Sequence, residues 1–181
     1  MANVFTLELT GTSGSGKSTL AKALQEALES AGTHVQVIDG DTLRSELGSL
    51  FGYTREERMK NSRIVRVLAR YLNRNGVNVI LSVVAPYEEM RHAFREFIGA
   101  PYIEAYVKCS LEECARRDVK GYYRAQKEGK MQNLNGADDV FEEPQGCELV
   151  VDTEHSSVDE CFGQIMEYLG RKGYVVPVHH G

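Results

Sequence analysis

The sequence has no apolar run approaching the roughly 18 residues that a membrane-spanning helix needs. It is poor in cysteine. Cys109, Cys114, Cys147 and Cys161 are too sparse for a disulfide scaffold and have no CxxC spacing, so they read as reduced, structural thiols. None of His34, His92, His155, His179 and His180 has metal-ligand spacing with a cysteine, and His179-His180 reads as a frayed tail. Positive charge is in the minority: 21 Lys plus Arg stand against 26 Asp plus Glu, for a net charge of −5. A chain this acidic is not expected to wrap a nucleic-acid duplex, although a local basic pocket for a small anion remains open. Met1 to Thr10 carries no Lys or Arg, and the first basic residue is Lys17. A secretory leader places positive charge ahead of an apolar core, so a cytoplasmic protein is expected. No repeat and no Pro/Gly/Ser linker divides the 181 residues. With 42% hydrophobic and 26% charged residues, one domain spanning 1–181 is expected.

What is present is an alternation of strand-like and helix-like stretches. Val4 to Leu9 alternates apolar and polar residues and runs into Gly11, which reads as a strand ending in a loop. Ser18 to Ala31 sets Leu20, Leu24 and Leu28 on one helical face and stops at Gly32. Val35 to Ile38 reads as a strand. Thr54 to Asn75 reads as a long helix opened by a capping box at Thr54-Arg55-Glu56-Glu57. Val77 to Val84 is a nearly continuous apolar run, the pattern of a central parallel strand. Tyr87–Ile98 is expected to be helical, Tyr102–Val107 a strand, Leu111–Arg117 a helix, Leu149–Val151 a strand and Val158–Leu169 a helix. Between them, 118–146 is polar and glycine-rich without periodic apolar residues, as in a lid. The βα alternation predicts an α/β fold with a parallel sheet and helices on both faces, with ligands at the carboxyl ends of the strands.

Gly11-Thr12-Ser13-Gly14-Ser15-Gly16-Lys17-Ser18 matches GxxxxGK[ST], the Walker A loop, and lies between a predicted strand and a predicted helix. Glycines let successive backbone N–H groups turn toward an anion, and the helix beginning near Lys17 adds its positive end. Lys17 is expected to reach the β- and γ-phosphates of ATP, and the Ser18 hydroxyl to ligate Mg²⁺. Thr19 completes the expected ATP-binding stretch. The chain has no NKxD base-reading motif, as a switch GTPase would, and Asp118-Val119-Lys120-Gly121 matches DxxG too late in the chain to count.

The second strand ends in Ile38-Asp39-Gly40-Asp41, with Arg44 following. Paired carboxylates beside a triphosphate site suit phosphoryl transfer. One can hold Mg²⁺ through water, the other can take the acceptor's proton, and Arg44 can clamp an anionic acceptor. The competing reading makes Asp39 or Asp41 a helix N-cap. The next helix carries seven basic residues, mostly a solvated face, of which Arg58 and Arg63, toward its start, are the better candidates.

In the order GTSGSGKST, IDGDTLRSEL, GYTREERMKNSRI, LSVVAPY and RRDVKGYYRAQKEGKMQNLNGADDVFEEP, these segments resemble the adenylylsulfate kinase family from about Phe5 to Leu169. The resemblance implies a P-loop kinase that uses ATP and Mg²⁺ to phosphorylate the 3′-hydroxyl of adenosine 5′-phosphosulfate (APS), and a homodimer. By the same resemblance Asp41 faces the acceptor hydroxyl and Asp39 lies near magnesium. Arg44 and Arg58 clamp the phosphosulfate, Asn61 contacts the acceptor nucleotide, and Val84 and Ala85 line its site. Lys120, Gly121 and Tyr123 begin the lid, and Arg117 lies against the ATP adenine. Three positions depart from the family pattern. Tyr53 replaces a Phe but keeps a ring for stacking. Leu134 replaces a second Phe, which weakens the expected aromatic clamp. Ala85 replaces a Ser before Pro86, so no phosphoserine can form there. These departures keep open a related kinase acting on another nucleotide-linked acceptor, such as cytidine diphosphoramidate, and a non-catalytic nucleotide-binding subunit is the competing class.

Overall fold

The computed structural model describes residues 4–99 and 101–175; His179 and His180 lie outside them. The order along the chain is β1 (Thr6–Thr10), α1 (Lys17–Ser30), β2 (Val35–Asp39), α2 (Gly40–Glu46), α3 (Arg55–Arg74), β3 (Asn78–Ser82), α4 (Glu88–Ile98), β4 (Tyr102–Lys108), α5 (Leu111–Arg117), α6 (Tyr122–Lys127), β5 (Leu149–Asp152) and α7 (Val158–Arg171). A short 3-10 turn, Gly48–Leu50, follows α2.

The five strands form one sheet in the order β2-β3-β1-β4-β5, and every pairing is parallel. Parallel strands need crossovers, and the helices supply them on both faces. Leu7, Leu9, Ile80, Ile103 and Val107 meet Leu20, Leu24 and Leu28 of α1 and Ile165 and Leu169 of α7 on one side. Val79, Leu81 and Tyr102 meet Val65 and Ala69 of α3 and Met90 and Phe94 of α4 on the other.

The β1 sequence alternates like a half-exposed strand, yet all five of its residues are buried. Its polar face is covered by α3 and α4. Thr6 hydrogen-bonds to Asn73 (2.8 Å) and Thr10 to the Val84 carbonyl (2.7 Å). Glu8 accepts a hydrogen bond from the Tyr102 hydroxyl. The predicted capping box is formed: the Thr54 side chain accepts from Glu57 N, and Glu57 reaches back to Thr54 N. Two helices lie outside the expected run of elements, although the competing N-cap reading of Asp39 or Asp41 implies the first. One is α2, which follows β2 without an intervening loop. The other is α6, which lies inside the stretch expected to be without regular structure. Asp118, the first residue of the discounted DxxG match, has a local role there: its carboxylate accepts from the Tyr123 and Arg124 amides at 3.0 Å.

Candidate active site

The parallel register assembles the site. Ser82, the last residue of β3, is the register partner of both Leu9 in β1 and Asp39 in β2. The three strands therefore end level with one another, and whatever follows each is delivered to the same edge of the sheet. After β1 comes the Gly11–Ser18 loop. A side chain at Gly11 (φ +155°) would put its Cβ 2.6 Å from the Val107 carbonyl oxygen, so only glycine fits there. Gly16 caps α1 in the left-handed region (φ +98°) with no side chain on the helix's first amides. That leaves those N–H groups for a ligand.

Lys17 is buried (8% exposed). Its ammonium donates to the Thr12 carbonyl (2.7 Å) and the Ser15 hydroxyl (3.4 Å). Burial, reinforced by the nearby Lys120 ammonium, pushes its pKa down to about 8. Ser18 Oγ donates to Asp39 Oδ2 (2.8 Å), and Ser82 Oγ donates to the same oxygen (3.0 Å). The other carboxylate oxygen, Oδ1, accepts from the Asp41 and Thr42 amides, both at 3.1 Å. Partial burial of Asp39 works against its charge, but the Thr42 amide and the Ser18 and Ser82 hydroxyls outweigh it and hold the carboxyl below its usual range. Asp41 is paired with Lys120, and the Tyr122 hydroxyl lies 3.5 Å away.

One cleft brings most of the expected residues together. Ser13, Lys17, Ser18, Asp39 and Asp41 line its phosphate end. Arg44, Tyr53, Arg58, Asn61, Val84 and Ala85 line the other, with Lys120 and Leu134 beside them. Two guanidinium groups lie against the Tyr53 ring, Arg44 at 4.6 Å and Arg58 at 5.2 Å from its centroid. Arg44 donates to the Phe51 (2.9 Å) and Gly52 (2.6 Å) carbonyls, and Arg58 to those of Tyr53 (2.9 Å) and Asn133 (2.6 Å). Each keeps further N–H donors for an anion. Asn61 Oδ1 is buried without a partner, an acceptor that suits a hydrogen-bond donor on a ligand.

Of the remaining expected residues, Gly11, Thr12, Gly14, Ser15 and Gly16 form the loop itself. Thr19 is exposed on the first turn of α1. Arg117 lies to one side, where it donates to the Thr153 carbonyl (2.7 Å) and pairs with Glu113 (2.8 Å). The sequence reading missed three residues. Ser82 is a polar interruption of the apolar Val77–Val84 run and ends β3, a placement that could have drawn attention. Thr153 donates to the Ser15 carbonyl (2.7 Å) and so buttresses the loop. Asn135 is buried in the cleft wall with Oδ1 unpartnered. No cluster of three or more His, Cys, Asp or Glu suited to a metal exists among the described residues. Ser18, Asp39 and Ser82 form an all-oxygen donor set, which fits Mg²⁺, a hard cation bound by few side chains and mainly by phosphates and water.

A parallel 2-3-1-4-5 sheet with a glycine-rich phosphate loop after its central strand, and carboxylates at the end of the strand that follows, defines a P-loop phosphotransferase. Comparison with known proteins narrows this class. The Adenylylsulphate kinase family model matches residues 3–152, and the chain belongs to that family. It is 38% identical over 172 residues to the adenylyl-sulfate kinase of Picosynechococcus sp., covering 95% of this chain and 97% of that protein. It is 39% identical over 170 residues to that of Synechococcus sp. strain JA-2-3B'a(2-13), covering 94% and 97%. The structure of the Mycobacterium tuberculosis APS kinase CysC in complex with AMPPNP and APS superposes with a TM-score of 0.87 at 28% identity, covering 93% of this chain and 99% of that one. No helix among the described residues is long and apolar enough to cross a membrane.

Proposed function

We propose that this chain transfers the γ-phosphoryl group of ATP to the 3′-hydroxyl of adenosine 5′-phosphosulfate. The observation that carries the reading is the continuity of one cleft from the Lys17 loop, past Asp39 and Asp41, to the cationic wall of Arg44 and Arg58. A nucleotide with two anionic groups suits that wall, and a hydroxyl next to Asp41 is placed to attack in line.

The loop amides and Lys17 hold the triphosphate. Lys17 leaves its Thr12 and Ser15 partners to do so, and the phosphates keep it protonated. Ser18 and Asp39 would hold Mg²⁺, with Ser82 orienting Asp39, and the ion would supply positive charge against the triphosphate. Asp41 gives up a contact with Lys120 or Tyr122 and takes the proton of the attacking hydroxyl. Arg44 and Arg58 fix the acceptor's phosphosulfate, and Asn61 takes a hydrogen bond from the acceptor nucleotide. Tyr53 and Leu134 cover it. Arg117 lies on the ATP adenine side.

The segment 118–146 works as the lid of a single kinase domain. It meets the rest of the chain through polar contacts, among them Tyr123 Oη to Ser13 O (2.8 Å), Arg58 to Asn133 O (2.6 Å) and Glu142 N to Pro86 O (2.8 Å), and through apolar packing of Tyr123 and Leu134 with Cys109 and Cys114. Opening breaks these contacts, and closure excludes water as a competing acceptor. The chain acts in the cytoplasm as a homodimer, and the exposed Leu50, Val67, Leu68 and Tyr71 offer an apolar surface for the second copy.

A coupled ADP-release assay tests the reaction. ADP release must depend on APS, and cytidine diphosphoramidate must support little or none. Asp41→Ala must lower kcat by more than about a hundredfold, the usual effect of losing a general base. Release that ignores the acceptor refutes the kinase reading, and a near-normal Asp41→Ala refutes the role of that carboxylate.

A further inference from the structure

The acceptor wall Val84-Ala85-Pro86 is held carbonyl by carbonyl. The Val84 oxygen accepts from Thr10 Oγ1 (2.7 Å) and Gly11 N (3.4 Å), and the Pro86 oxygen from Glu142 N (2.8 Å). Between them, the Ala85 oxygen accepts from Arg91 Nη1 (2.8 Å), in a contact closed to solvent. Ala85 needs this support because its φ is +41°, a left-handed conformation that alanine rarely adopts. Such a residue is strained and persists only where its surroundings over-determine it.

Arg91 projects from the second turn of α4 and is only 3% exposed. Arginine is almost never buried this deeply without a charge partner. Its partner is Glu104 in the neighbouring strand β4, at 3.0 Å from Nε. Glu104 also faces Arg95 at 3.7 Å, and Arg95 pairs with Glu148 at 2.8 Å. A chain of charges thus runs from the surface through the core and ends on one strained carbonyl in the acceptor wall. Arg91 itself does not line the cleft.

We propose that Arg91 is a positioning residue for the acceptor. Anchored by Glu104, it holds Ala85 in the left-handed region, and this sets the wall on which the acceptor nucleotide rests. The inference builds on the proposed reaction. It places the dependence mainly on one substrate: the acceptor wall needs Arg91, whereas the phosphate loop is held chiefly by Thr153, Cys114 and β1 and touches the wall only through the long Gly11 N–Val84 O contact (3.4 Å).

Two backgrounds test it. Arg91→Lys keeps a charge for Glu104, but its single nitrogen cannot span both Glu104 and the Ala85 oxygen. Arg91→Met with Glu104→Gln removes the buried pair together, so that neither charge is left alone. Each must raise the KM for APS about tenfold or more while the KM for ATP stays within about twofold. Adding Ala85→Gly to Arg91→Lys must recover much of the APS affinity, because glycine adopts positive φ without strain. A residue acting only in core stability would show no such rescue. The proposal is overturned if APS KM is unchanged, if ATP KM rises in step, if glycine brings no recovery, or if neither background folds. Absence of APS-dependent ADP release from the parent chain would instead refute the reaction itself.

Discussion

Glu8 offers a test of the fold that needs no substrate. It sits in the central strand with no exposed surface, on the face covered by α3 and α4. One carboxyl oxygen accepts from the Tyr102 hydroxyl, and the other has no partner. Burial, helped by the negative charge of Glu104, pushes its pKa up from 4.5 to about 8 against the opposing hydrogen bond from Tyr102. At neutral pH Glu8 is therefore protonated in the folded chain and ionised in the unfolded one. Below pH 4.5 both states carry the proton and there is no penalty. Between pH 4.5 and about 8 the unfolded state releases the proton while the folded state keeps it, so stability falls by about 1.4 kcal/mol per pH unit. Above about 8 both states are ionised and the loss levels off. Glu8→Gln keeps an acceptor for Tyr102 and has no proton to lose. The difference in unfolding free energy, variant minus parent, must then rise by about 3 kcal/mol between pH 5 and pH 7. Urea unfolding at half-unit pH steps measures this directly, and taking the difference removes titrations common to both chains. Parallel stability curves for the two chains would falsify the assignment of a neutral Glu8 in the folded core.

Other consequences concern binding. The Lys17 ammonium, with its pKa pushed down to about 8 by burial and Lys120, must be charged to hold a triphosphate. ATP affinity is therefore expected to fall up to tenfold per pH unit above about 8. Calorimetric titration should show that slope in the parent and none in Lys17→Met, whose affinity is weaker throughout; a persistent slope in the variant would assign the titration elsewhere. Leu134, buried in the cleft wall, stands where an aromatic ring would strengthen contact with a base. Leu134→Phe is expected to lower the KM for APS several-fold, and an unchanged or raised KM would show that the base does not reach this position.

How much was legible in the sequence depended on whether a feature is local. The phosphate loop declares itself because its glycines, Lys17 and Ser18 act within eight consecutive residues. The Thr54 capping box and the leucine face of α1 are local in the same sense. The helix α2 was legible only through the competing reading of Asp39 or Asp41 as an N-cap: it begins at the residue after β2, so no turn marks it, and its seven residues leave little room for periodicity. The burial of Glu8 and the roles of Ser82 and Arg91 depend on which strands lie side by side. Ser82 reaches Asp39 only because β2 and β3 run parallel in register. Arg91 meets Ala85 because α4 turns back over the loop that precedes it.

Asp39 shows why a local reading can divide over one residue. A carboxylate after a strand can cap a helix or face a metal, and the sequence poses these as alternatives. The structure shows the cap on one oxygen, where Oδ1 accepts from the Asp41 and Thr42 amides, and leaves Oδ2, held by Ser18 and Ser82, for the proposed metal role. The two functions can therefore be separated by substitution. Asn caps a helix about as well as Asp, and its amide nitrogen can donate to the Ser18 and Ser82 hydroxyls. Asp39→Asn should thus keep stability within about 0.5 kcal/mol of the parent, whereas Asp39→Ala should lose about 1 kcal/mol, as when a cap is removed. Both lose the charge that faces Mg²⁺, so both should need far more Mg²⁺ for half-maximal turnover and lose most activity at ordinary concentrations. Thermal unfolding and Mg²⁺ titration of turnover read the two roles independently. Full activity in Asp39→Asn would leave the carboxylate only its cap, and equal destabilisation of the two variants would remove the cap from the account.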